Sequence, residues 1–287
     1  MSIGCLMITT NRPDRFEMTL QAMDSVNKCG HDLDQKVLSV DLLPECSHIQ
    51  PGYEASLISA AEKWGWQVVT GECTGHQAMI HNICRGLSII HTNWLFYCED
   101  HVVIQRIPSE ESLDFADRHA CIEWVCYNTH IHQENLLNVP GFTERPGREG
   151  RLAFVNDPAN WFRTFMGAEF LLKDTPIQDE YYLNFPAAIT YTELFRELLL
   201  YGIKNYHGIG IEVGFTKAWF DTRSNRANCC AIYTQPKTIE ELPLASFAAL
   251  HQRACMRFRN NDPSMLHSSI IPHSVLPTDV KMQRSFF

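Results

Sequence analysis

The stretch "NWLFYCEDHVV", Asn93–Val103, is the part of the sequence that best defines the fold class. Its segment Trp94–Cys98 is a continuous apolar or near-apolar run, which is typical of a strand buried on both faces of a parallel sheet. Glu99, Asp100 and His101 follow this run directly. Because ligands bind at the carboxyl ends of strands in open α/β sheets, these three polar residues mark a candidate site.

The sequence around this stretch alternates between strand patterns and helix patterns. Three further apolar runs predict strands: Ile3–Thr9, "KVLSVDLLP" at 36–44 and "WQVVTGE" at 66–72. Between them lie segments with helical spacing, such as Ile80, Ile83, Leu87 and Ile90. Gly65 is a predicted stop for the helix "YEASLISAAEKWG". This alternation predicts an α/β fold, with a mostly parallel sheet and helices on both faces.

The second half of the chain is less regular. Residues 105–160, which include the Gly-, Pro- and charge-rich segment 130–154, are predicted to form a long loop region that could act as a mobile flap over a site. A strand is predicted in "FMGAEFLLKD", and a helix ending at Gly202 in "TYTELFRELLLYGIK". A further helix is predicted in "LPLASFAALHQRACMRF". We therefore predict a nucleotide-binding half (1–104), an irregular acceptor-binding half of the same domain (105–240), and a C-terminal helix and tail (241–287).

Composition limits the classes of function. Lys plus Arg number 24 and Asp plus Glu 33, which gives a net charge of −9 and argues against broad binding to nucleic acid. No apolar run is long enough for a transmembrane helix, and the first residues lack the basic start of a signal peptide. The eleven cysteines show no zinc-finger spacing, so reduced thiols and a cytoplasmic location are predicted.

Polar residues follow three of the predicted strands. They are Thr9–Arg15 after the first, Asp41 at the end of the second, and Glu99, Asp100 and His101 at the end of the fourth. Two adjacent carboxylates suit a hard cation such as Mg²⁺ or Mn²⁺, which prefers oxygen ligands. Such a cation neutralises charge on a leaving diphosphate. The alternative interpretation is that both acids only solvate the end of a strand.

The first hundred residues resemble glycosyltransferases of family 2, which have the GT-A fold. "IGCLMITTNRPDRFEMTLQAM" is similar to the opening of that family, an apolar strand followed by "TTYNRPDRL". "SVDLLPECS" resembles the strand end "VVDDGS", and "HNICRGLSIIHTNWLFYCED" resembles "RNxGIxxAxGEYIxFLDxD". The resemblance covers about residues 3–104. Glu99 and Asp100 are a departure, because the family most often has Asp-x-Asp there.

The resemblance implies roles for individual residues. A nucleotide pocket would include Thr10, Asn11, Arg12, Asp41 and Asn82. Asp100 would be the main metal ligand and His207 a second one, while Glu99 would support the metal or face the sugar. His101 and His207 also have a plain structural interpretation.

The resemblance places the catalytic base near the helix "TYTELFRELLLYGIK". The family's acid pair falls at Thr190 and Tyr191, so Glu193 is the nearest carboxylate. Asp179 and Glu180 are rival candidates. Glu193 also has a simpler interpretation, because an acid in the first turn of a helix interacts favourably with the helix dipole.

Together these features predict a glycosyltransferase that uses Mn²⁺ or Mg²⁺. It would move a sugar from a nucleotide-diphosphate donor to a hydroxyl of a glycan or another acceptor, with inversion implied by the resemblance. One alternative is a sugar-phosphate nucleotidyltransferase, although the first strand lacks the expected Gly-rich loop. Another is a catalytically degenerate GT-A module that binds a glycan or a partner.

Overall fold

The computed structural model describes residues 1–11, 16–42, 52–72, 78–107, 109–119, 122–127, 159, 161–163, 169–172, 187–206, 211–223, 230–233 and 239–241. The helices within these ranges are α1 (Phe16–Cys29), α2 (Tyr53–Lys63), α3 (Ala78–Leu87), α4 (Ser109–Arg118), α5 (Thr192–Asn205) and α6 (Ile211–Arg223). The strands are β1 (Ile3–Thr10), β2 (Gln35–Leu42), β3 (Gln67–Glu72), β4 (Trp94–Glu99), β5 (Val102–Ile104), β6 (Trp124–Tyr127), β7 (Trp161–Arg163), β8 (Glu169–Leu172), β9 (Ala187–Tyr191), β10 (Cys230–Tyr233) and β11 (Ile239–Glu241).

Nine of the described strands form one sheet in the order β3-β2-β1-β4-β9-β6-β10-β8-β7. The first four are parallel to one another, β9 is antiparallel to both of its neighbours, and β6 is parallel to β10. Only β8 and β9 run against the rest of these nine strands, which confirms the predicted mostly parallel sheet. The strands β5 and β11 pair separately.

The core lies on both faces of this sheet because side chains alternate along each strand. Cys5 and Met7 of β1 pack on one face with residues of α1, α2 and α4. Leu6 and Ile8 pack on the other face with residues of α3, α5 and α6. The helices on both faces confirm the α/β prediction.

The end of α2 follows the chemistry that the sequence predicts. Trp64 ends the helix, and Gly65 follows with a φ of 74°. That left-handed backbone conformation costs a glycine little and strains most other residues. The predicted stop at Gly65 is therefore confirmed, and it turns the chain directly into β3.

Two predictions for the second half are wrong. The region 105–160 is not one long loop, because α4 and β6 lie within it and β6 is a fully buried strand of the main sheet. A four-residue strand carries too little periodic signal to be recognised. The helix α5 does not end at Gly202 but continues to Asn205. A Cβ at Gly202 would lie 3.6 Å from the carbonyl oxygen of Gly214, so this glycine lies where α5 meets α6.

Other predictions for the second half have different outcomes. The strand predicted in "FMGAEFLLKD" is present as β8. The loop segment 130–154 and the helix 242–258 lie outside the described residues. The division of the chain at residues 104 and 240 stays a prediction. None of the described helices has the length and apolar character needed to cross a bilayer.

Candidate functional site

The carboxyl ends of β1 to β4 lie side by side at one edge of the sheet. The pairing register places Thr10 opposite Asp41 and Asp41 opposite Gly71. On the other side of β1, Ile8 lies opposite Glu99. The structure thus brings the predicted strand-end residues together along a single edge.

Asp41 is a buried carboxylate that is paired with an arginine. It is 1% exposed, and its Oδ1 atom accepts a hydrogen bond from Nη2 of Arg85 at 2.6 Å. Burial raises the pKa of Asp41 to about 7, although the positive charge and hydrogen bond of Arg85 act in the opposite direction. The pair therefore places a buried charge, whose desolvation costs free energy, at the edge of the sheet formed by the carboxyl ends of β1 to β4.

Arg85 reaches Asp41 across the end of β3. Nη2 of Arg85 also lies 3.5 Å from Oδ1 of Asn82, one helical turn earlier in α3. A Cβ at Gly71 would collide with the guanidinium group, so only glycine leaves it room there. The side chain of Arg85 remains 22% exposed.

Sequence analysis missed Arg85, although one local signal was available. Arg85 follows Asn82 at a spacing of three, which places both side chains on one side of the helix. An arginine beside an apolar stripe can also extend its guanidinium into solvent, so this signal does not identify Asp41 as its partner.

Asn82 connects α3 to β1, and the backbone of Asn11 connects the end of β1 to β2. Nδ2 of Asn82 donates a hydrogen bond to the backbone oxygen of Thr9 at 2.9 Å. The backbone NH of Asn11 donates to the backbone oxygen of Asp41 at 2.9 Å. Both asparagines are buried, whereas Thr10 is partly exposed. The predicted pocket residue Arg12 lies outside the described residues.

Asp100 is held in place by β1. Its Oδ2 atom accepts a hydrogen bond from the hydroxyl of Thr9 at 2.8 Å. The hydroxyl of Thr9 lies 3.0 Å from the hydroxyl of Thr19 in α1, and all three residues are buried. Thr9 therefore links the end of β4 to β1 and α1, a role that sequence analysis did not assign to it.

Glu99 and His101 flank Asp100 at the same edge. Nδ1 of His101 lies 3.3 Å from Oε2 of Glu99 and 4.0 Å from Oδ1 of Asp100. The side chain of Glu99 is 23% exposed and that of His101 is 12% exposed. The imidazole thus lies near both carboxylates.

The predicted metal site has an incomplete set of protein ligands in the described part of the chain. There, no three His, Cys, Asp or Glu side chains are grouped so that they could hold a metal ion. Mg²⁺ and similar cations commonly bind through one or two carboxylates plus substrate phosphates. Asp100, with Glu99 beside it, is compatible with a site of that kind, in which phosphate oxygens would supply further ligands. His207 lies outside the described residues.

Glu193 lies at the opposite edge of the sheet. Because β9 is antiparallel to β4, its last residue, Tyr191, lies beside Trp94 at the start of β4. Tyr191 therefore lies about 16 Å along β4 from Glu99, at about 3.3 Å per residue, and Glu193 follows Tyr191 by two residues. This distance contradicts its assignment as a base for chemistry at Asp100. The rival acids Asp179 and Glu180 lie outside the described residues.

The structure gives Glu193 and Arg196 a different role. Glu193 forms an ion pair with Arg196 and is 82% exposed. Arg196 donates to the backbone oxygens of Leu87 and Ile90, at and just beyond the end of α3. Arg196 therefore fastens α5 to backbone carbonyls at the carboxyl end of α3.

Comparisons with known proteins identify the fold. No protein-family model matches the chain, and neither does any curated protein sequence. Among solved structures, S. aureus TarS 1-349 in complex with UDP matches with a TM-score of 0.51 and 12% identity. The match covers 91% of this chain and 67% of that one. This chain thus spans about two thirds of the TarS fragment.

Two other solved structures are similar at lower scores. Glucosyl-3-phosphoglycerate synthase from Mycobacterium tuberculosis, in complex with Mn²⁺, UDP and glucosyl-3-phosphoglycerate, has a TM-score of 0.44 and 12% identity, covering 90% of this chain and 79% of that one. The 4-diphosphocytidyl-2C-methyl-D-erythritol synthase of Anaerococcus prevotii has a TM-score of 0.46 and 12% identity, covering 88% and 96%. At these scores neither supports a conclusion about this chain. Together with the sheet order, the TarS match indicates that the chain has a GT-A-like fold.

Proposed function

We propose that this protein is a glycosyltransferase that moves a sugar from a nucleoside-diphosphate donor to a hydroxyl of a glycan or another acceptor. The observation that carries the proposal is the position of buried Asp41 and Asp100 at one carboxyl edge of a GT-A-like sheet. The TarS fragment with a similar fold was crystallised with UDP, which supports a nucleotide donor.

The nucleotide would bind at the ends of β1 and β2. Thr10 is partly exposed there and is the described threonine available for direct contact with the donor. Asn11, Asp41 and Asn82 are buried, so they would shape the pocket from beneath. Arg12, which follows Asn11 directly, completes the proposed set.

The diphosphate would lie near the end of β4. Asp100 would hold Mn²⁺ or Mg²⁺ together with the donor's phosphates, with His207 as the proposed second protein ligand. A cation bound there would offset the negative charge that develops on the leaving diphosphate. Thr9 contributes by fixing one oxygen of the Asp100 carboxylate.

Glu99 would act on the sugar side of the site. It is partly exposed and lies at the same edge of the sheet as Asp100, whereas Glu193 lies at the opposite edge. A carboxylate in that position accepts a proton from an acceptor hydroxyl or stabilises positive charge on the sugar. Transfer in a single displacement would invert the anomeric carbon. We also propose a reducing, cytosolic-type compartment, in which cysteines such as Cys5, Cys29, Cys84, Cys98 and Cys126 stay free thiols.

Release of nucleoside diphosphate from a panel of nucleotide sugars, with and without Mn²⁺, tests the proposal. We expect metal-dependent release by the wild-type chain and loss of at least about 100-fold in Asp100→Asn, because an amide neither carries the charge nor ligates as well. Asp114→Asn, in an exposed pair with Arg118, is the matched control. Equal turnover in Asp100→Asn and wild type would remove the metal assignment.

A second candidate is a binding module without catalysis. The presence of Glu99 and Asp100, where the family that the sequence resembles most often has Asp-x-Asp, favours it. Such a module would bind nucleotide sugars but release no nucleoside diphosphate, even with acceptor present. A nucleotidyltransferase would instead release pyrophosphate from a nucleoside triphosphate and a sugar phosphate.

A further inference from the structure

We propose that Thr19 is a positioning residue for the proposed metal ligand Asp100, and that it acts through the hydroxyl of Thr9. This inference rests on the proposed function and adds to the same site a residue on α1 that touches neither the cation nor the donor. Thr19 orients the hydroxyl of Thr9, and that hydroxyl orients the carboxylate.

The three residues form a chain of hydrogen bonds that ends on the carboxylate. Oγ1 of Thr19 lies 3.0 Å from Oγ1 of Thr9, and Oγ1 of Thr9 lies 2.8 Å from Oδ2 of Asp100. Thr19, Thr9 and Asp100 are 0%, 3% and 7% exposed. Water therefore competes little for these hydrogen bonds, and the protein itself determines how the carboxylate is oriented.

The direction of the hydrogen bonds follows from the number of protons. An ionised carboxylate can only accept, and a threonine hydroxyl carries one proton and two acceptor lone pairs. The proton of Thr9 therefore goes to Oδ2 of Asp100, where the hydrogen bond is charge-assisted. In the contact between the two hydroxyls, Thr19 is consequently the donor and Thr9 the acceptor.

Donation by Thr19 favours this orientation of the Thr9 hydroxyl over an alternative one. Oγ1 of Thr9 also lies 3.4 Å from the backbone oxygen of Thr10, which is a second, more distant acceptor for the same proton. The bond from Thr19 occupies one lone pair of Thr9 and so limits the rotation of its hydroxyl. A hydroxyl that accepts one hydrogen bond is also a stronger donor in the next. Thr19 thus strengthens the bond that holds Asp100.

The second oxygen of Asp100 lies near the other charged groups of the site. Oδ1 lies 4.0 Å from Nδ1 of His101, and this nitrogen lies 3.3 Å from Oε2 of Glu99. A carboxylate that is held through Oδ2 therefore has a fixed orientation relative to Glu99. Hydrogen-bond partners behind a metal ligand commonly set its orientation and its affinity for the metal.

The chain connectivity explains why a residue of α1 reaches this edge. Thr19 is the fourth residue of α1, which is the first helix after β1. A helix that connects parallel strands begins near the carboxyl end of the strand before it. The start of α1 therefore lies beside the ends of β1 and β4, where Thr9 and Asp100 lie.

Calorimetric titration of the full chain with UDP, dTDP and GDP, each over a series of Mn²⁺ concentrations, tests the inference. We expect Mn²⁺ to tighten the binding of at least one of these nucleotides to wild type. In Thr19→Val, which keeps the side-chain shape but lacks the hydroxyl, the Mn²⁺ concentration that gives half of this gain should rise about three- to tenfold. This is less than the roughly 10–100-fold typical of a direct partner of a metal ligand. Binding without Mn²⁺ should stay unchanged.

Two variants are the controls. Thr19→Ser keeps the donor hydroxyl, so its Mn²⁺ dependence should match that of wild type within about twofold. Thr190→Val removes another buried threonine hydroxyl, which donates to the backbone oxygen of Glu123 at 2.8 Å. Urea unfolding should show a similar loss of stability in Thr190→Val and Thr19→Val, but only Thr19→Val should change the Mn²⁺ dependence.

The outcomes separate the inference from the function on which it rests. An unchanged Mn²⁺ dependence in Thr19→Val, or an equal change in Thr19→Ser or Thr190→Val, would mean that Thr19 only packs in the core, and the proposed function would stand. If Thr19→Val does not fold, Thr19→Ala also lacks the hydroxyl and carries the same expectation. If Mn²⁺ tightens the binding of no nucleotide to wild type, the metal assignment of the proposed function is wrong as well.

Discussion

Asp41 is the residue where burial and charge oppose each other most directly. Burial raises its pKa to about 7, and Arg85 limits that rise. Ionisation of a carboxylate in such a buried position destabilises the folded state. Buried charges of this kind are therefore uncommon in protein cores and are often found at functional sites. In this structure the charge has a partner, because Arg85 donates a hydrogen bond to Asp41 at 2.6 Å.

The raised pKa predicts a pH dependence of stability. The folded pKa of about 7 exceeds the unfolded value of roughly 3.9, so the folded state binds more protons between these two values. The contribution of Asp41 to the free energy of unfolding therefore falls as pH rises from about 4 to 7, by at most about 1.4 kcal/mol per pH unit. We expect the free energy of unfolding to fall less between pH 5 and 7 in Asp41→Asn than in wild type.

Urea unfolding at pH 5, 6 and 7 measures this difference. Asp24→Asn is the matched control, because Asp24 lies in an exposed pair with Lys28 and its removal should leave the slope unchanged. Parallel pH profiles for wild type and Asp41→Asn would contradict the prediction.

At the scale of the element, two arginines with different roles act on the last turn of α3. Arg85, within that turn, pairs with Asp41 at the carboxyl end of β2. Arg196, from α5, donates to the backbone oxygens of Leu87 and Ile90, at and just beyond the end of α3. The last turn of this helix is therefore tied both to the sheet and to α5.

This arrangement predicts that substitution of Glu193 has little effect on stability, whereas substitution of Arg196 is destabilising. Glu193→Gln should change stability by less than about 0.5 kcal/mol and leave turnover intact, because Glu193 is exposed and far from Asp100. Arg196→Met should cost about 1.5–3 kcal/mol, because it leaves backbone oxygens of α3 without their charged donor. Chemical unfolding and nucleoside diphosphate release measure both. A large loss of turnover in stable Glu193→Gln would restore Glu193 as a catalytic base.

For the whole molecule, an aromatic cluster joins the strands to the helices on one face. Phe195 of α5 lies with its ring 5.7 Å from Trp124 of β6, 5.0 Å from Phe215 of α6 and 5.4 Å from Tyr97 of β4. It is fully buried. This cluster links β4, which leads to the site, with elements far away in sequence.

The cluster predicts that substitution of its central residue, Phe195, strongly lowers the free energy of unfolding. Phe195→Ala should lower the free energy of unfolding by about 3–5 kcal/mol, because it removes buried surface and leaves a cavity. Leu200→Ala, on the same helix but 63% exposed, should change it by less than about 0.5 kcal/mol. Urea unfolding compares the two variants. Similar losses in both would mean that this cluster does not determine stability.

Whether a feature could be predicted from the sequence depends on how far apart in the chain the interacting residues lie. The strands and helices of residues 3–104 were predictable, because a buried strand or an amphipathic helix imposes its period on neighbouring residues. The short strand β6 carried too little of that signal. The Asp41–Arg85 pair spans 44 positions and the Thr9–Asp100 bond spans 91, so neither leaves a local pattern.

The sequence by itself determined that parallel strands would deliver Asp41 and Asp100 to one edge, since strands joined by crossover helices end on the same side. Only the tertiary structure decided that β9 runs antiparallel to β4, which removed Glu193 from the site. The direction of that strand depends on the edge with which it pairs. For the same reason, only the packing of α3 across β3 revealed Arg85 as the partner of Asp41.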